Sequence, residues 1–461
     1  MTCVAVFTTG CSGAGTPAGK PADSAGAAQA VDRGIHPEWS RNAVIYEVNI
    51  RQYTPEGTFA AFTKQLPRIR ALGVDILWIM PVQPIGTVNR KGTLGSYYSI
   101  RDYTAVNPEF GTEADFTAMV AAAHAQGFKV ILDWVANHTA FDHEWTVSHR
   151  DWYTLRKDGT ISRAVDQEGK ETDWSDVADL NYGSTAMRQA MIAEMKWWVD
   201  STGIDGFRCD VAGFVPYDFW ADARRALLAA KPDLFFLAEW EDPKLHASFD
   251  MTYGWGLLHL MNDVASGKQK TPALDRYFAE FEATFPAGAY RMYMTSNHDE
   301  NSWQGTEFER MGANHQAAYV LGATVQRSMP LLYSGQEVSL NRRLAFFEKD
   351  SIDWTGPSLA EFYRAIFDLR HTQEVLWNGP WGAPQVQLAT DGGDRTWAFT
   401  RTRGEKSVAV LVNFGDTTVS VKYTGLPVAG TYTDWFTKAS VPLAAAGTIE
   451  IPAHGYRVLV K

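Results

Sequence analysis

The chain has 461 residues, 45% hydrophobic and 21% charged, so it is long enough to bury a large core in two or three domains. Its formal net charge of −11 argues against nucleic acid as a partner, because no basic patch is present to neutralise phosphates. The three cysteines, Cys3, Cys11 and Cys209, give no disulfide framework, and we expect Cys209 to be a small apolar residue in a buried strand.

Residues 1–38 differ in composition from the rest of the chain. The apolar run Val4 to Phe7 leads to Cys11, and residues 12–30 are rich in Gly, Ala, Ser and Pro. The pattern is typical of an export signal that ends at a lipid-modified cysteine and continues as a tether. It predicts an exported protein, held by lipid in the cell envelope or periplasm, or secreted; the alternative is a disordered tail. No later stretch reaches the ~18 apolar residues of a membrane span.

From Asn42 onward, strand-like and helix-like patterns alternate, as in α/β folds with a parallel sheet. Amphipathic segments predict helices, and apolar runs predict eight strands. Eight strands separated by helices predict a (β/α)8 TIM barrel over residues 39–375. The predicted helices include Phe59 to Leu72, Ala114 to Gln126, Met187 to Asp200 and His315 to Gln326, and the predicted strands are residues 43–48, 76–80, 129–133, 206–211, 234–239, 249–251, 291–295 and 330–333.

Two regions depart from the barrel pattern. Residues 138–181 are too many for an ordinary loop after the third strand, and they contain Trp145, Trp152, Trp174 and the turn signal Lys157-Asp158-Gly159. We expect an inserted domain over the barrel rim. After about residue 375, short alternating strands predict a C-terminal antiparallel β-sandwich over residues 376–461. Its predicted strands are residues 395–400, 407–413, 418–423, 430–435 and 456–460.

Three carboxylates end predicted strands at the rim where a barrel enzyme keeps its chemistry: Asp210, Glu239 and Asp299. Cleavage of a glycosidic bond needs two carboxyl groups, one to attack or activate water and one to protonate the leaving oxygen. Arg208 lies two residues before Asp210 and so on the same face of the strand, where its charge favours an ionised Asp210 as nucleophile. Glu239 is then the proton donor with a raised pKa, and Asp299 binds sugar hydroxyls and stabilises the transition state.

Two histidines, His138 and His298, also end predicted strands beside these carboxylates. Either one alone is more often a local hydrogen-bonding residue than a ligand-binding one. Their matched positions favour a role in binding sugar hydroxyls.

Five motifs follow one another along the chain. They are Asp133-Trp-Val-Ala-Asn137-His138, Val177-Ala-Asp179-Leu-Asn181, Gly206-Phe-Arg208-Cys-Asp210, the segment of Glu239, and Asn297-His298-Asp299. Taken in this order, they make the chain similar to the α-amylase family of retaining α-glucoside hydrolases and transferases, from about residue 40 to the C-terminus. This resemblance implies that Asp210 forms a β-glucosyl-enzyme, that Glu239 is the acid/base and that Asp299 stabilises the transition state.

Two further segments match family patterns. In Gly95-Ser-Tyr-Tyr98-Ser-Ile-Arg-Asp102, the resemblance implies that Tyr98 stacks on the sugar at the cleavage site. Gly335-Gln336-Glu337 matches the structural close of the barrel after the eighth strand.

Other positions depart from the family pattern. Many α-amylases have a Lys-His pair three and four residues after the nucleophile, but this chain has Gly213 and Phe214, which weakens polar contacts to the acceptor. The histidine often found two residues before the stacking tyrosine is Ser96.

The resemblance also implies a structural calcium site, because Asn137 and Asp179 match family ligands and a hard cation prefers oxygen donors. The carbonyl of Phe214 is a further candidate donor. The alternative is that both side chains only cap loops. No organic cofactor is expected.

Three classes of function follow. The first is hydrolysis of α-glucosidic bonds, α-1,4 before α-1,6, in starch fragments, maltooligosaccharides or cyclodextrins. The second is a glucan transferase or isomerase that uses the same covalent intermediate, or an α-1,6-acting glucosidase on the same scaffold. The third is a non-catalytic glycan-binding protein, against which the intact carboxylates and Arg208 argue. Substrate length, endo or exo action and oligomeric state stay open.

Overall fold

Eight parallel strands form a closed barrel in the computed structural model, which describes residues 36–461. The first strand closes the barrel against the eighth, with Ile45 opposite Leu331. This arrangement confirms the predicted (β/α)8 fold. In chain order the barrel strands are Ile45–Val48, Ile76–Ile79, Lys129–Trp134, Gly206–Cys209, Phe235–Ala238, Met251–Tyr253, Tyr290–Tyr293 and Ser328–Tyr333.

The predicted export signal, with Cys3 and Cys11, falls outside the described residues, as does nearly all of the predicted tether. Within residues 36–461, no helix is both long and apolar enough to cross a membrane. Cys209 is fully buried in the fourth barrel strand, and burial raises the pKa of its thiol well above the ordinary value, as expected for an inert core residue.

Close packing of the fourth and fifth strands brings two of the rim carboxylates side by side. Gly206 lies opposite Phe235, and a Cβ atom added at Gly206 would lie 1.9 Å from the Phe235 carbonyl oxygen. Only glycine fits this position. Asp210 and Glu239 directly follow these two strands, so their register sets the spacing of the two side chains.

The helices around the barrel begin and end where local chemistry favours it. Thr112 and Asp115 form a reciprocal capping box at the start of one long helix, and Gly203, with φ of 75°, ends another. The α-helices are Ile50–Tyr53, Phe59–Thr63, Leu66–Ala71, Glu113–Ala125, Trp145–Ser148, Thr185–Thr202, Tyr217–Ala230, Trp255–Ala265, Pro272–Arg276, Glu307–Met311, His315–Thr324 and Ala360–Thr372, and Tyr277–Phe281 and Glu300–Gln304 are π-helical.

Two connections differ from the sequence prediction. The helix predicted from Phe59 to Leu72 is two helices, because Pro67 near the start of the second has no amide hydrogen to continue the first. Between the fifth and sixth strands there is a 3₁₀ turn, Pro243–Ala247, instead of an α-helix. Few residues separate these two strands, which leaves little room for a helical crossover.

The inserted segment is tied together by a short antiparallel strand pair. His138–Ala140 pairs with Val177–Asp179, so the two ends of the segment meet directly above the third barrel strand. The helix Trp145–Ser148 and isolated bridges such as Leu155 to Ile161 lie between them.

The C-terminal region is an antiparallel two-sheet structure, as predicted. The strands at 440–443 and 446–451 were not predicted, because Pro442 and the small residues Ala444 to Gly447 hide the alternating pattern. One sheet contains Gln385–Gln387, Thr396–Arg403, Lys406–Asn413, Gly455–Val460, Gly430–Asp434 and Ser440–Leu443, and the other Ala389–Thr390, Val419–Thr424 and Ala446–Ile451.

Arg401 joins this region to the barrel. Its buried guanidinium donates hydrogen bonds to backbone carbonyl oxygens on both sides of the joint. The acceptors are Ala383, Thr324, Val325, Leu376 and Trp377.

Candidate active site

Arg208 lies at the centre of the site, fully buried under the rim. Its Nη1 atom donates to Asp133 Oδ1 at 2.8 Å and to Asp210 Oδ1 at 3.0 Å, and its Nη2 atom lies 2.9 Å from Glu239 Oε1. Its Nε atom donates to Tyr253 Oη at 3.1 Å. The predicted contact between Arg208 and Asp210 is present, but three carboxylates share the charge. The sequence argument assumed that Arg208 favours ionisation of Asp210 alone, and this assumption does not hold.

Asp210 and Glu239 form a coupled pair of carboxyl groups. Burial is the main cause that raises the pKa of Asp210, Glu239 raises it further, and Arg208 opposes both. Burial also raises the pKa of Glu239, with Arg208 again opposing. Two adjacent buried carboxyl groups do not both ionise readily, so the pair retains a proton that one member can donate. Both carboxyl groups contact the same guanidinium, which holds them on one side of the site.

A strained turn after the fourth strand orients Glu239. The amide of Val211 donates to Glu239 Oε2 at 2.8 Å, and Val211 has left-handed backbone angles, φ 35° and ψ 48°. This conformation costs a β-branched residue about 1–3 kcal/mol. The hydrogen bond from the Phe214 amide to the Val211 carbonyl, 2.8 Å, closes the turn. The residue after Asp210 thus fixes the direction of the second carboxylate.

His298 links Asp299 to the rest of the site. Its Nε2 atom lies 2.8 Å from Tyr98 Oη and 3.1 Å from Asp299 Oδ2, and its Nδ1 atom contacts the carboxylate of Glu47. Burial lowers the pKa of His298, but Asp299 and Glu47 outweigh burial and raise it well above its ordinary value. Burial likewise raises the pKa of Asp299, but His298 and then Arg208 hold it below its ordinary value. The two side chains are therefore an imidazolium and a carboxylate at neutral pH.

Two buried acids in the site were missed by the sequence reasoning. Glu47 is fully buried on the first strand, and its Oε2 atom has no hydrogen-bond partner among residues 36–461. Asp133 received no role, yet its Oδ2 atom accepts from Trp78 Nε1 and from Tyr98 Oη, both at 3.1 Å. A charged residue inside an apolar strand was the available signal for Glu47.

Tyr98 is fixed beside the carboxylates. Its ring stacks on His298 with centroids 5.6 Å apart and on Phe346 at 6.2 Å, each with 20° between the planes. Its hydroxyl bonds to Asp133 and His298. The ring is therefore held rigidly, with one part of its surface exposed to the cleft.

His138 lies at the other side of the site. It is 2% exposed, and burial lowers its pKa to about 3, so it is a neutral imidazole. Its ring meets the edge of Trp174 at 5.7 Å. Within residues 36–461, no hydrogen bond or ion pair joins it to the three rim carboxylates.

Comparison with known proteins identifies the family of the chain. Residues 22–355 match the family model for the α-amylase catalytic domain, and residues 388–456 match that for the α-amylase C-terminal all-β domain. The chain belongs to the α-amylase family. It is thus an enzyme of a family that contains glycosidases and transferases.

Individual relatives agree with this placement. The α-amylase MalA of Haloarcula japonica is 29% identical over 92% of this chain, and the chain spans 60% of the length of MalA. A crystal structure of an α-amylase from Lactobacillus plantarum is 30% identical with a TM-score of 0.82, over 92% of this chain and 99% of that one. An α-1,4-glucan:maltose-1-phosphate maltosyltransferase of Rhodospirillum rubrum is 34% identical over 44% of this chain and 32% of its own length.

Within the α-amylase fold, this chain has an aromatic wall made of Trp174, Phe214 and Trp240. Phe214 stacks on Trp174 at 6.1 Å and meets Trp240 at 5.3 Å. A Cβ atom added at Gly213 would lie 2.2 to 2.4 Å from the Trp240 indole, so only glycine allows this packing. The amide of Gln167 donates to the Gly213 carbonyl at 2.6 Å. The departure from the family pattern thus builds an apolar surface beside Glu239.

The pair Asn137 and Asp179 fits a hard cation in its chemistry. The amide of Leu180 donates to the Asn137 carbonyl at 3.1 Å, which holds the segments of the two residues together. Asp179 Oδ1 accepts from the Val165 amide at 2.9 Å, and burial raises the pKa of Asp179 to about 6. Calcium takes six to eight oxygens. In the described part of the chain no three His, Cys, Asp or Glu side chains converge on a metal position, so backbone carbonyls and water would supply the remainder.

The Glu47→Gln substitution tests the imidazolium at His298. Because the pKa of His298 lies above its unfolded value, the charged form stabilises the fold at low pH, and this contribution is lost as pH rises through the folded pKa. Removing the Glu47 charge lowers the pKa of His298, so the alkaline limb of kcat/KM moves to lower pH. At mildly alkaline pH, kcat/KM falls by about tenfold, the value of one charge-assisted hydrogen bond.

The measurement is an NMR titration of the His298 ring together with the pH profile of kcat/KM. Glu361→Gln, at an exposed position paired with Arg364, is the matched control. An unchanged His298 titration in Glu47→Gln contradicts the assignment.

Proposed function

We propose that the protein is a retaining glycoside hydrolase that cleaves α-glucosidic bonds, α-1,4 bonds first, in starch-derived glucans, maltooligosaccharides or cyclodextrins. The observation that carries this proposal is the contact of Asp210 and Glu239 with a single buried guanidinium, because it places two carboxyl groups around one reacting centre. Asp299 completes the site through the charged pair with His298.

The proposed reaction has two displacements. The Asp210 carboxylate attacks the anomeric carbon and forms a β-glucosyl ester while Glu239 gives its proton to the leaving oxygen. Water then attacks the ester; Glu239 takes the proton of that water, and the Asp210 carboxylate is released. Arg208 and the Asp299–His298 pair stabilise the changes of charge, and Tyr98 provides a ring face for the sugar.

The Asp210→Asn variant tests the nucleophile. The amide keeps the shape and the contact with Arg208 but does not form the ester, so turnover of maltooligosaccharides falls by at least about 10⁴-fold. Asp222→Asn, in a surface ion pair with Arg225, is the control and keeps full turnover. The measurement is the initial rate on maltoheptaose, with circular dichroism to confirm the fold.

Retained hydrolysis by Asp210→Asn would sink the assignment. An NMR time course of the wild-type reaction gives a second outcome, since double displacement releases the α-anomer first. Early release of the β-anomer contradicts the mechanism even if the variant is inactive.

Transfer to a sugar acceptor is the second candidate activity, and the aromatic wall favours it. Trp174, Phe214 and Trp240 offer an apolar surface beside the acid/base, where an acceptor sugar competes with water by stacking. On maltotriose, Phe214→Ala lowers the ratio of transfer products to hydrolysis products several-fold, at roughly 1 kcal/mol per lost ring contact.

Chromatographic product analysis measures this ratio. Phe347→Ala, which removes a ring packed against Trp303 instead, is the matched control. An equal ratio in wild type and Phe214→Ala removes the support for transfer. Soluble starch, pullulan, cyclodextrin and isomaltose compared side by side then separate α-1,4 from α-1,6 preference.

We further propose that Asn137 and Asp179 contribute to a structural calcium site that ties the inserted segment to the barrel. A bound cation stabilises only the folded state, so chelation lowers the melting temperature by about 5 °C. Differential scanning calorimetry with and without EDTA measures this shift. Asp179→Asn removes the response to EDTA, whereas Asp173→Asn, at an exposed position of the same segment, keeps it. An unchanged melting temperature on chelation of the wild type contradicts the calcium proposal.

A further inference from the structure

A cavity separate from the catalytic cleft opens between the inserted segment and the loop after the second barrel strand. Its volume is about 690 Å³, within the range of small-molecule sites. Phe141 and Ile161 give it two apolar patches, and none of its lining residues is a carboxylate. Four arginines line it: Arg90, Arg150, Arg156 and Arg163.

Three of the four guanidinium groups are not neutralised by a carboxylate. Arg90 donates to the carbonyl oxygens of Gly86 and Ile85, at 2.8 and 3.1 Å, and Arg150 donates to a backbone carbonyl. The Arg163 guanidinium has no hydrogen bond or ion pair among residues 36–461, but Glu171, the partner of Arg156, is near enough to interact with its charge. Only Arg156 forms an ion pair, with Glu171.

Three carboxylates near the cavity have other hydrogen-bond or ion-pair partners. Asp142 accepts hydrogen bonds from the amide and hydroxyl of Thr87, and Asp158 accepts those of Thr160. Asp176 pairs with Lys91 at 3.1 Å. The lining of the cavity is therefore positively charged, in a chain whose formal charge is −11, although Glu171 interacts with two of its arginines.

The side chains that line the cavity indicate what kind of ligand it binds. A guanidinium presents a planar fork of N–H donors that matches the oxygens of a phosphate monoester, and several forks around one cavity surround a tetrahedral anion. The ring of Phe141 and the side chain of Ile161 suit the apolar face of a sugar. We propose that this cavity binds a phosphorylated sugar, with the phosphate held by Arg150 and Arg163 and by the remaining N–H groups of Arg90.

The cavity is built from the same segments as the catalytic cleft. Arg90 packs against Gly95, three residues before Tyr98, since a Cβ atom at Gly95 would lie 3.1 Å from the Arg90 side chain. Ser175, on the cavity wall, directly follows Trp174 of the aromatic wall. A ligand in this cavity therefore contacts both segments that flank the cleft, without contacting the rim carboxylates.

Isothermal titration calorimetry of the full chain at low ionic strength tests the proposal, because such charge interactions are screened by salt. The titrants are inorganic phosphate, glucose 6-phosphate and glucose. Arg163→Gln and Arg150→Gln remove donors that make no ion pair inside the protein, so the fold is kept. Arg225→Gln, on the exposed face of the helix Tyr217–Ala230, is the matched control.

We expect saturable binding of glucose 6-phosphate, tighter than that of inorganic phosphate, and none of glucose at the same concentration. Arg163→Gln and Arg150→Gln each weaken binding by about tenfold, whereas Arg225→Gln leaves it unchanged. Phe141→Ala removes the advantage of glucose 6-phosphate over inorganic phosphate.

Three results overturn the proposal. Equal affinity for inorganic phosphate and glucose 6-phosphate in the wild type would show a site for a free oxyanion and not for a sugar. No saturable binding at about 10 mM ligand, or equal binding by wild type and Arg163→Gln, would show that the cavity holds no anion. The readout is binding, so none of these results depends on whether Asp210 is the nucleophile.

Discussion

The charge balance around Arg208 decides what the rest of the site can do. Five carboxyl groups lie in one contact network with only two cationic side chains, and each unpaired buried charge costs several kcal/mol. This balance favours retained protons over full ionisation, and the pKa of both Asp210 and Glu239, at the ends of the fourth and fifth strands, is raised. The carboxyl groups are Glu47, Asp133, Asp210, Glu239 and Asp299, and the cations are Arg208 and His298.

The opposite pKa shifts of His298 and Asp299 set the pH range over which both side chains are charged. The stabilisation from Asp299, whose pKa is lowered, is present above its unfolded value and is lost as pH falls through the folded pKa. The stabilisation from His298, whose pKa is raised, is lost as pH rises through its folded pKa. Between these limits the ion pair of His298 and Asp299 is intact. The strained turn at Val211 is held by its hydrogen bond to Glu239, which belongs to the same network.

Sequence reasoning located the rim carboxylates because Asp210 and Glu239 directly follow apolar strands and Asp299 lies in the polar segment after the seventh strand, and strand ends in a barrel meet at one rim. It assigned the proton of the pair to Glu239 from the expected contact between Arg208 and Asp210 alone. The structure removes that argument, because Arg208 contacts carboxylates from three different strand ends and the sharing depends on their register. Glu47 was missed because its partner, His298, is distant in sequence, in the segment after the seventh strand. In the fold, the connection between the fifth and sixth strands departs from the regular (β/α)8 repeat, because few residues separate these strands and they form a 3₁₀ turn.

The aromatic wall is determined by packing, so its two departures from the family pattern, Gly213 and Phe214, depend on each other. Gly213 is required by the indole of Trp240, which lies where any Cβ atom at that position would be. Phe214 in turn packs between Trp240 and Trp174, which belongs to the inserted segment. A lysine at position 213 would displace Trp240, the residue directly after Glu239. The rim carboxylates are fixed by the barrel strands, whereas the aromatic wall is fixed by how the inserted segment packs against the turn after the fourth strand.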